Sequence, residues 1–379
     1  MHFLRAFRVL GRHRLKGLHH TWSFAHSSPL AHFRNLQEDT SPLPSIPCAW
    51  CKTTSTMAAD YLTRRKFIID TDAGIDDAQA ILMCLAASDV DVVALTTVKG
   101  NATATQVTSN LLRLLKAADR LEIPIYRGCE DMLLGWEKPD EYNYHGKDGF
   151  GDVPDPDPPS RDRVQAKHAV QALIDITKQY PGEITLIAIG PLTNVSMAVR
   201  MDQDLGSRLK ACYIMGGNYR GEGNVTPSGE FNFYSDPEAA HIVLNSLGCP
   251  ITLTCWELCE QYALTWEKYA ELRKHNSKKC QFMKEVERLM VSTCKELNWT
   301  TYIPCDEVAA ACAIDNKVIT KSDHVYASVE LHGHLTRGQM VVDWGMRLGK
   351  KPNVQIVKEL DVERYMELLL HAIDVSSDK

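Results

Sequence analysis

The sequence predicts an α/β protein with an open, mostly parallel central sheet flanked by helices, and three observations carry that expectation. From Lys66 onward, short apolar runs rich in β-branched residues alternate with segments of helical periodicity, the pattern of βαβ units whose strands are buried on both faces. The 379 residues, 44% of them hydrophobic, suffice for a large core. Glycines, carboxylates and amides collect at the ends of the apolar runs, and open sheets of this kind bind ligands beyond the carboxyl ends of their strands.

Five strands are expected at residues 67–70, 92–98, 184–189, 211–215 and 251–254. Five helices are expected at 77–87, 103–118, 165–179, 192–200 and 237–247. Ser235 or Asp236 caps the last of these, with Pro237 at its first position. Residues 258–295 read as helical with interrupted apolar spacing, which suits an outer subdomain, and another helix opens at Asp306. Strands follow at 325–331 and 339–342, then a final helix at 361–373.

Two segments lack periodicity. Residues 135–164 contain Trp136, five prolines and His145-Gly146-Lys147-Asp148-Gly149-Phe150-Gly151, a glycine-punctuated loop of the kind that closes over a site. Residues 217–236 form a second glycine-rich stretch, ending in Glu230-Phe231-Asn232-Phe233-Tyr234-Ser235-Asp236.

The net charge of −6 hides a split, because residues 1–57 hold seven Lys and Arg against two acids. The remainder is strongly acidic, which argues against a nucleic-acid partner. No apolar stretch reaches the ~18 residues needed to span a bilayer, so no membrane partner is expected. Residues 1–60 read as a poorly ordered basic extension ahead of a folded domain at 61–379. Its Arg-rich composition, with no acid before Glu38, resembles a mitochondrial transit peptide; an extension without an address, in a cytoplasmic protein, and a start at Met57 are the other readings. The twelve cysteines are scattered, so reduced and mostly buried thiols are expected. Cys48 and Cys51 have redox or metal spacing, but no second pair follows at zinc-site spacing.

The most informative segment is Asp70-Thr71-Asp72-Ala73-Gly74-Ile75-Asp76-Asp77, which places four carboxylates between the first strand and the first helix. Like charges this close raise one another's pKa, so the arrangement calls for a cation. Oxygen-only ligands suit calcium or magnesium rather than zinc. Gly100-Asn101, Gly190-Pro191-Leu192-Thr193-Asn194 and Gly216-Gly217-Asn218 follow later strands. They offer close backbone approach and neutral hydrogen bonds suited to a polyhydroxyl ligand.

The 70–77 run resembles the signature of the inosine-uridine preferring nucleoside hydrolases. Gly100-Asn101, His145 to Gly149, Gly190 to Asn194, Met215-Gly216-Gly217, Asn224, Glu230-Phe231-Asn232, Asp236 to Ala240 and Asp306 follow in family order. The resemblance implies a Rossmann-like fold that cleaves the N-glycosidic bond of ribonucleosides with one calcium ion. It implies Asp72, Asp77, Asp306 and the main-chain carbonyl of Ile189 as metal ligands, and Asp72 as the base that activates a metal-bound water. Asp76, Asn101, Asn224, Glu230 and Asn232 would hold the ribose. A homodimer or homotetramer is also implied.

Two positions depart from the family. Cys305 stands where many members carry a His that assists departure of the base; a thiol with pKa near ~8.5 donates a proton less effectively than imidazolium. Ala73 stands where Pro is usual, and the turn is expected to rest on Gly74. Trp256 and Trp299 are candidates for stacking on the base, although helix packing is the expected role of either. His145 is either a substrate contact or an exposed loop residue, His241 a packing residue, and His332 and His334 a strand edge rather than a metal pair. Two alternatives remain. A haloacid-dehalogenase-type phosphohydrolase also places Asp-x-Asp after a first strand, but the Gly-Thr expected next is missing. A non-catalytic ligand-binding member of the same fold is the other, tolerable because of Cys305.

Overall fold

The computed structural model describes residues 64–134 and 144–373. The expectations for residues 1–60, for Cys48 and Cys51, for Met57 and for Trp136 lie outside them.

The chain opens with β1 (Arg65–Thr71), α1 (Ile75–Ala86), β2 (Val90–Thr97), α2 (Ala104–Ala117) and β3 (Ile125–Arg127). Next come α3 (Ala169–Gln179), β4 (Ile184–Ala188), α4 (Thr193–Met201) and β5 (Leu209–Met215). The short α5 (Phe231–Ser235) precedes α6 (Pro237–Ser246), β6 (Ile251–Thr254) and α7 (Trp256–Gln261). An outer helical insert follows, with β7 (Leu264–Thr265), α8 (Trp266–Leu272), α9 (Lys278–Val286), α10 (Arg288–Glu296) and β8 (Thr301–Tyr302). The chain returns through α11 (Asp306–Ile314), β9 (Ile319–Val325), β10 (Ala327–Val329), β11 (Met340–Val342), β12 (Val354–Leu360) and α12 (Val362–His371).

The central eight-stranded sheet has the order β3-β2-β1-β4-β5-β6-β12-β9. It is parallel except for β9, which runs antiparallel to β12. Connections leave β1 toward β2 on one side and resume at β4 on the other, so the order reverses between β1 and β4. A crevice opens at such a switch point, beyond the strands' carboxyl ends. Phe67, Ile68 and Ile69 are fully or almost fully buried, because helices cover both faces of β1. The first helix is buried nearly all round, since α11 and α12 pack against it.

Several expectations needed correction. The helix expected at 165–179 starts at Ala169, where His168 Nδ1 accepts from Val170 N at 3.3 Å as its cap; Gln165 instead bridges to Tyr126. The segment 258–295 is four helices broken by a hairpin strand rather than one stretch. The strand expected at 325–331 divides between β9 and β10, and His332 and His334 lie in the turn beyond, not at a strand edge. His241 packs as expected, its Nδ1 3.1 Å from Ser328 Oγ. Ten described cysteines are free thiols, eight of them buried.

The described part of the 135–164 loop is cross-braced rather than free to close. Asp152 Oδ1 accepts from Lys147 N at 2.7 Å and Asp148 N at 3.1 Å, while Asp148 Oδ1 accepts from Phe150 N at 2.7 Å. Asn110 Nδ2 donates to Asp148 O at 2.6 Å and to Ala73 O at 3.3 Å, tying this loop to the turn after β1.

The insert carries its own buried ion pair. Arg273 donates to Glu287 at 2.6 and 2.5 Å, and the Tyr269 hydroxyl donates to the same carboxylate at 2.7 Å. Removing one partner leaves an uncompensated buried charge, which costs about 3–5 kcal/mol. Arg273→Ala is therefore expected to lower the unfolding free energy by about that amount in urea titration; a loss below about 1 kcal/mol would show that water reaches the pair.

Candidate active site

The floor of the site is the turn after β1, built by short polar contacts. The Thr71 hydroxyl donates to Asp77 Oδ1 and accepts from Ala73 N at 3.0 Å. Asp77 Oδ2 accepts from Gly74 N at 2.8 Å, closing the first turn of α1. The left-handed residue of this turn is Ala73, with φ 41°, whereas Gly74 is extended at φ −75° and ψ −177°. The expectation that Gly74 permits the turn is thus corrected. Glycine is needed there for space, because a Cβ would lie 2.7 Å from Asn101 Nδ2 and 2.8 Å from His145 Nδ1.

Asp72 is held at the end of β1 by Asn101 N, which donates to its Oδ2 at 2.7 Å. A Cβ on Gly100 would collide with the same oxygen at 2.0 Å. Asp70 sits one layer deeper. Its Oδ1 accepts from Thr96 Oγ1 at 2.6 Å and Asn194 Nδ2 at 2.8 Å, and burial pushes its carboxyl up to about 6. Asn194 also donates to Thr97 O at 2.9 Å and accepts from Cys129 N at 2.9 Å. One amide therefore clasps the carboxyl ends of β1 and β2 and the chain beyond β3.

A cavity of about 960 Å³ opens above this floor. Asp72, Asp76, Asn101, His145 and Ile189 line it, as do Asn224, Glu230, Asn232, Cys305 and Asp306. Asp77, fully buried, lies behind. Glu230 already accepts from Gly217 N at 2.7 Å, Asn232 N at 2.8 Å and Phe233 N at 3.1 Å, as the cap of α5. Burial pushes its carboxyl up to about 7 while these donors pull it back. Asn232 Nδ2 donates to Ile189 O at 3.3 Å and Met215 O at 3.2 Å, leaving its buried Oδ1 without a protein partner. The side-chain oxygen of Asn224, at the exposed end, accepts from Phe231 N at 2.9 Å. His145 Nδ1 accepts from Ile75 N at 3.2 Å and lies 3.7 Å from Asp76 Oδ1.

Carboxylate oxygens of Asp76, Asp77 and Asp306 fall within 4.8 Å of one another, all three residues buried. Burial and then the neighbouring carboxylates push Asp77 and Asp306 well above the usual range. That crowding, with only oxygen donors at hand, fits a hard divalent cation that would let the groups ionise together. The second wall comes from α7 and from the segment between α10 and α11. Trp256 and Trp299 both line the cavity, although helix packing was expected of them. Tyr144, Phe231 and Glu260 line it as well. Sequence reasoning missed these three because nothing in local spacing marks them. Cys305 sits beside Cys259, whose Sγ is 3.9 Å from Cys305 O. That thiol and burial push Cys305 well above its ordinary range, further from useful acidity than expected.

A family model described as inosine-uridine preferring nucleoside hydrolase matches residues 67–367. The chain belongs to the inosine-uridine preferring nucleoside hydrolase family. Such an enzyme from Leishmania major is 33% identical over 315 residues, covering 83% of this chain and 99% of that protein. A probable uridine nucleosidase 2 from Oryza sativa subsp. japonica is 40% identical over 225 residues, 59% of this chain and 66% of its own length. Among solved structures, an inosine-guanosine nucleoside hydrolase superposes with a TM-score of 0.75 at 33% identity, covering 82% of this chain and 98% of that one. As a nucleoside hydrolase, the protein is a hydrolase of N-glycosyl bonds, and the predicted α/β architecture agrees with its structural relatives. Among the described residues no helix is long and apolar enough to cross a membrane.

Proposed function

We propose that the protein hydrolyses the N-glycosidic bond of ribonucleosides to ribose and free base, with Asp72 as general base and calcium held by Asp72, Asp77, Asp306 and the Ile189 carbonyl. The observation that supports this reading is the cluster of buried carboxylates from α1 and α11, Asp76, Asp77 and Asp306, beside a cavity of about 960 Å³ that Asp72 also lines. A bound divalent cation supplies a site for the attacking water and lowers its pKa.

Asp72, oriented by Asn101 N, takes the proton of that water as oxygen attacks C1′. The C1′–N bond breaks with its electron pair going to the base, so positive charge grows on the sugar. Asp76 and the carboxylate and amide oxygens around it stabilise that charge. Asn101, Asn224, Glu230 and Asn232 recognise the ribose hydroxyls, which makes deoxyribonucleosides poor substrates. His145, which lines the cavity, contacts the substrate from its edge. We also propose a homodimer or homotetramer as the working form.

The test is ribose release from a panel of ribonucleosides and deoxyribonucleosides in calcium buffer. Ribose from at least one ribonucleoside, and at least tenfold less from its deoxy counterpart, is the expected outcome. Binding without any ribose would establish the non-catalytic reading, which the suppressed acidity of Cys305 favours.

A further inference from the structure

We propose that Asn218 is a positioning residue for the sugar: its side-chain amide holds the loop at 219–229 in the form that presents Asn224 to ribose. The inference rests on the hydrolytic reading above and adds to it a residue that touches no substrate.

In the sequence the Gly216-Gly217-Asn218 run after β5 reads as a source of hydrogen bonds for a ligand. The structure gives the amide another use, because Asn218 is fully buried and does not line the cavity. Its Nδ2 donates to Ser228 O at 2.7 Å and to Glu222 O at 2.9 Å, and its Oδ1 accepts from Met340 N at 3.1 Å. Both amide hydrogens are thereby spent on the two arms of one loop. A single planar side chain closes that loop and fastens it to β11.

Asn224 lies between the two arms and lines the cavity. Its side-chain oxygen is taken by Phe231 N, so its Nδ2 is the group left for a sugar oxygen. The arc around it is compact. Gly223 N donates to Pro227 O and Val225 N to Gly229 O, both at 3.3 Å, and a Cβ on Gly223 would meet Thr226 O at 2.1 Å. A compact arc moves as a body, so its attachments decide where Asn224 sits.

Those attachments are unequal. At the root, Glu257 accepts from Tyr219 N at 2.8 Å and from Arg220 N at 2.5 Å, and farther on the Ser228 hydroxyl donates to Leu335 O. Of these ties, Asn218 alone reaches both arms. Glu230 is held separately, by Gly217 N, Asn232 N and Phe233 N. Loss of the Asn218 donors leaves two carbonyls unpaired, which displaces Asn224 and spares Glu230.

The test is a double-mutant cycle on ribose release from uridine and inosine. Asn218→Asp keeps an acceptor for Met340 N and removes both donors. It is expected to lower kcat/KM about five- to tenfold, the worth of one hydrogen bond to the sugar. In an Asn224→Ala background the same change is expected to cost less than twofold, because the contact that Asn218 positions is already gone. An equal loss in both backgrounds, or kcat/KM within twofold of wild type, overturns the proposal. Hydrogen exchange reads the loop without turnover: amides at 222–229 should exchange faster in Asn218→Asp while those of β4 and β5 do not change. Unchanged exchange in the loop also overturns the proposal. Should Asn218→Asp fail to fold, Asn218→Ala takes its place in both measurements. Silence from every nucleoside sinks the hydrolytic reading, and the exchange of the loop then decides alone whether Asn218 holds it.

Discussion

Asp72→Asn is expected to lower kcat for ribose release by about a hundred- to ten-thousandfold, the usual worth of a general base, with the fold intact. The amide oxygen of Asn can still accept from Asn101 N, the 2.7 Å bond that orients Asp72. The neighbouring turn also keeps its own ties, from Thr71 and Gly74 N to Asp77. A melting temperature within a few degrees of wild type would therefore accompany the loss. Activity within tenfold of wild type would remove Asp72 from the chemistry and shift attention to Asp76, the other carboxylate of the run that lines the cavity.

Stripping the protein with a chelator is expected to abolish turnover and to lower the melting temperature together. The Asp76, Asp77 and Asp306 cluster is buried, no Lys or Arg among the described residues pairs with it, and burial disfavours the ionised forms of Asp77 and Asp306. A ligand that binds only the folded state at a hundred times its Kd stabilises by about 2.7 kcal/mol. For a domain of this size that corresponds to roughly 4 °C. Adding calcium back should restore both readouts, with zinc a poor substitute because the donors are all oxygen. Full activity and an unchanged melting point after exhaustive chelation would refute a resident metal.

Much of this arrangement was legible in the sequence, for identifiable reasons. The strands β1, β2, β4, β5 and β6 bury most of their side chains and read as short runs rich in apolar and β-branched residues. The strand β3 is three residues long, below any useful period. The strand β9, Ile-Thr-Lys-Ser-Asp-His-Val, lies at the sheet edge and is largely solvated, so its composition reads as a loop. The insert misled because Tyr262, Arg273 and Glu287 end helices without glycine or proline to announce it. Within the site, side chains following strands could be found because the sheet aligns those positions. Tyr144, Glu260 and the cavity-facing role of Trp256 depend on how the insert packs over the sheet. That tertiary relation has no local period.

The two walls of the cavity have separate foundations. The sheet-borne floor is bolted by Asn194, Thr96 and Asn101 to three strand ends, so almost any change there disturbs the reacting atoms. The other wall takes Trp256 and Glu260 from α7 and Trp299 from the chain after α10, none of them on the sheet. It can be rewritten residue by residue while the bond-breaking apparatus stays in register. Such a division makes the scaffold evolvable: one unchanging cutter can be offered to successive bases by drift in its outer helices.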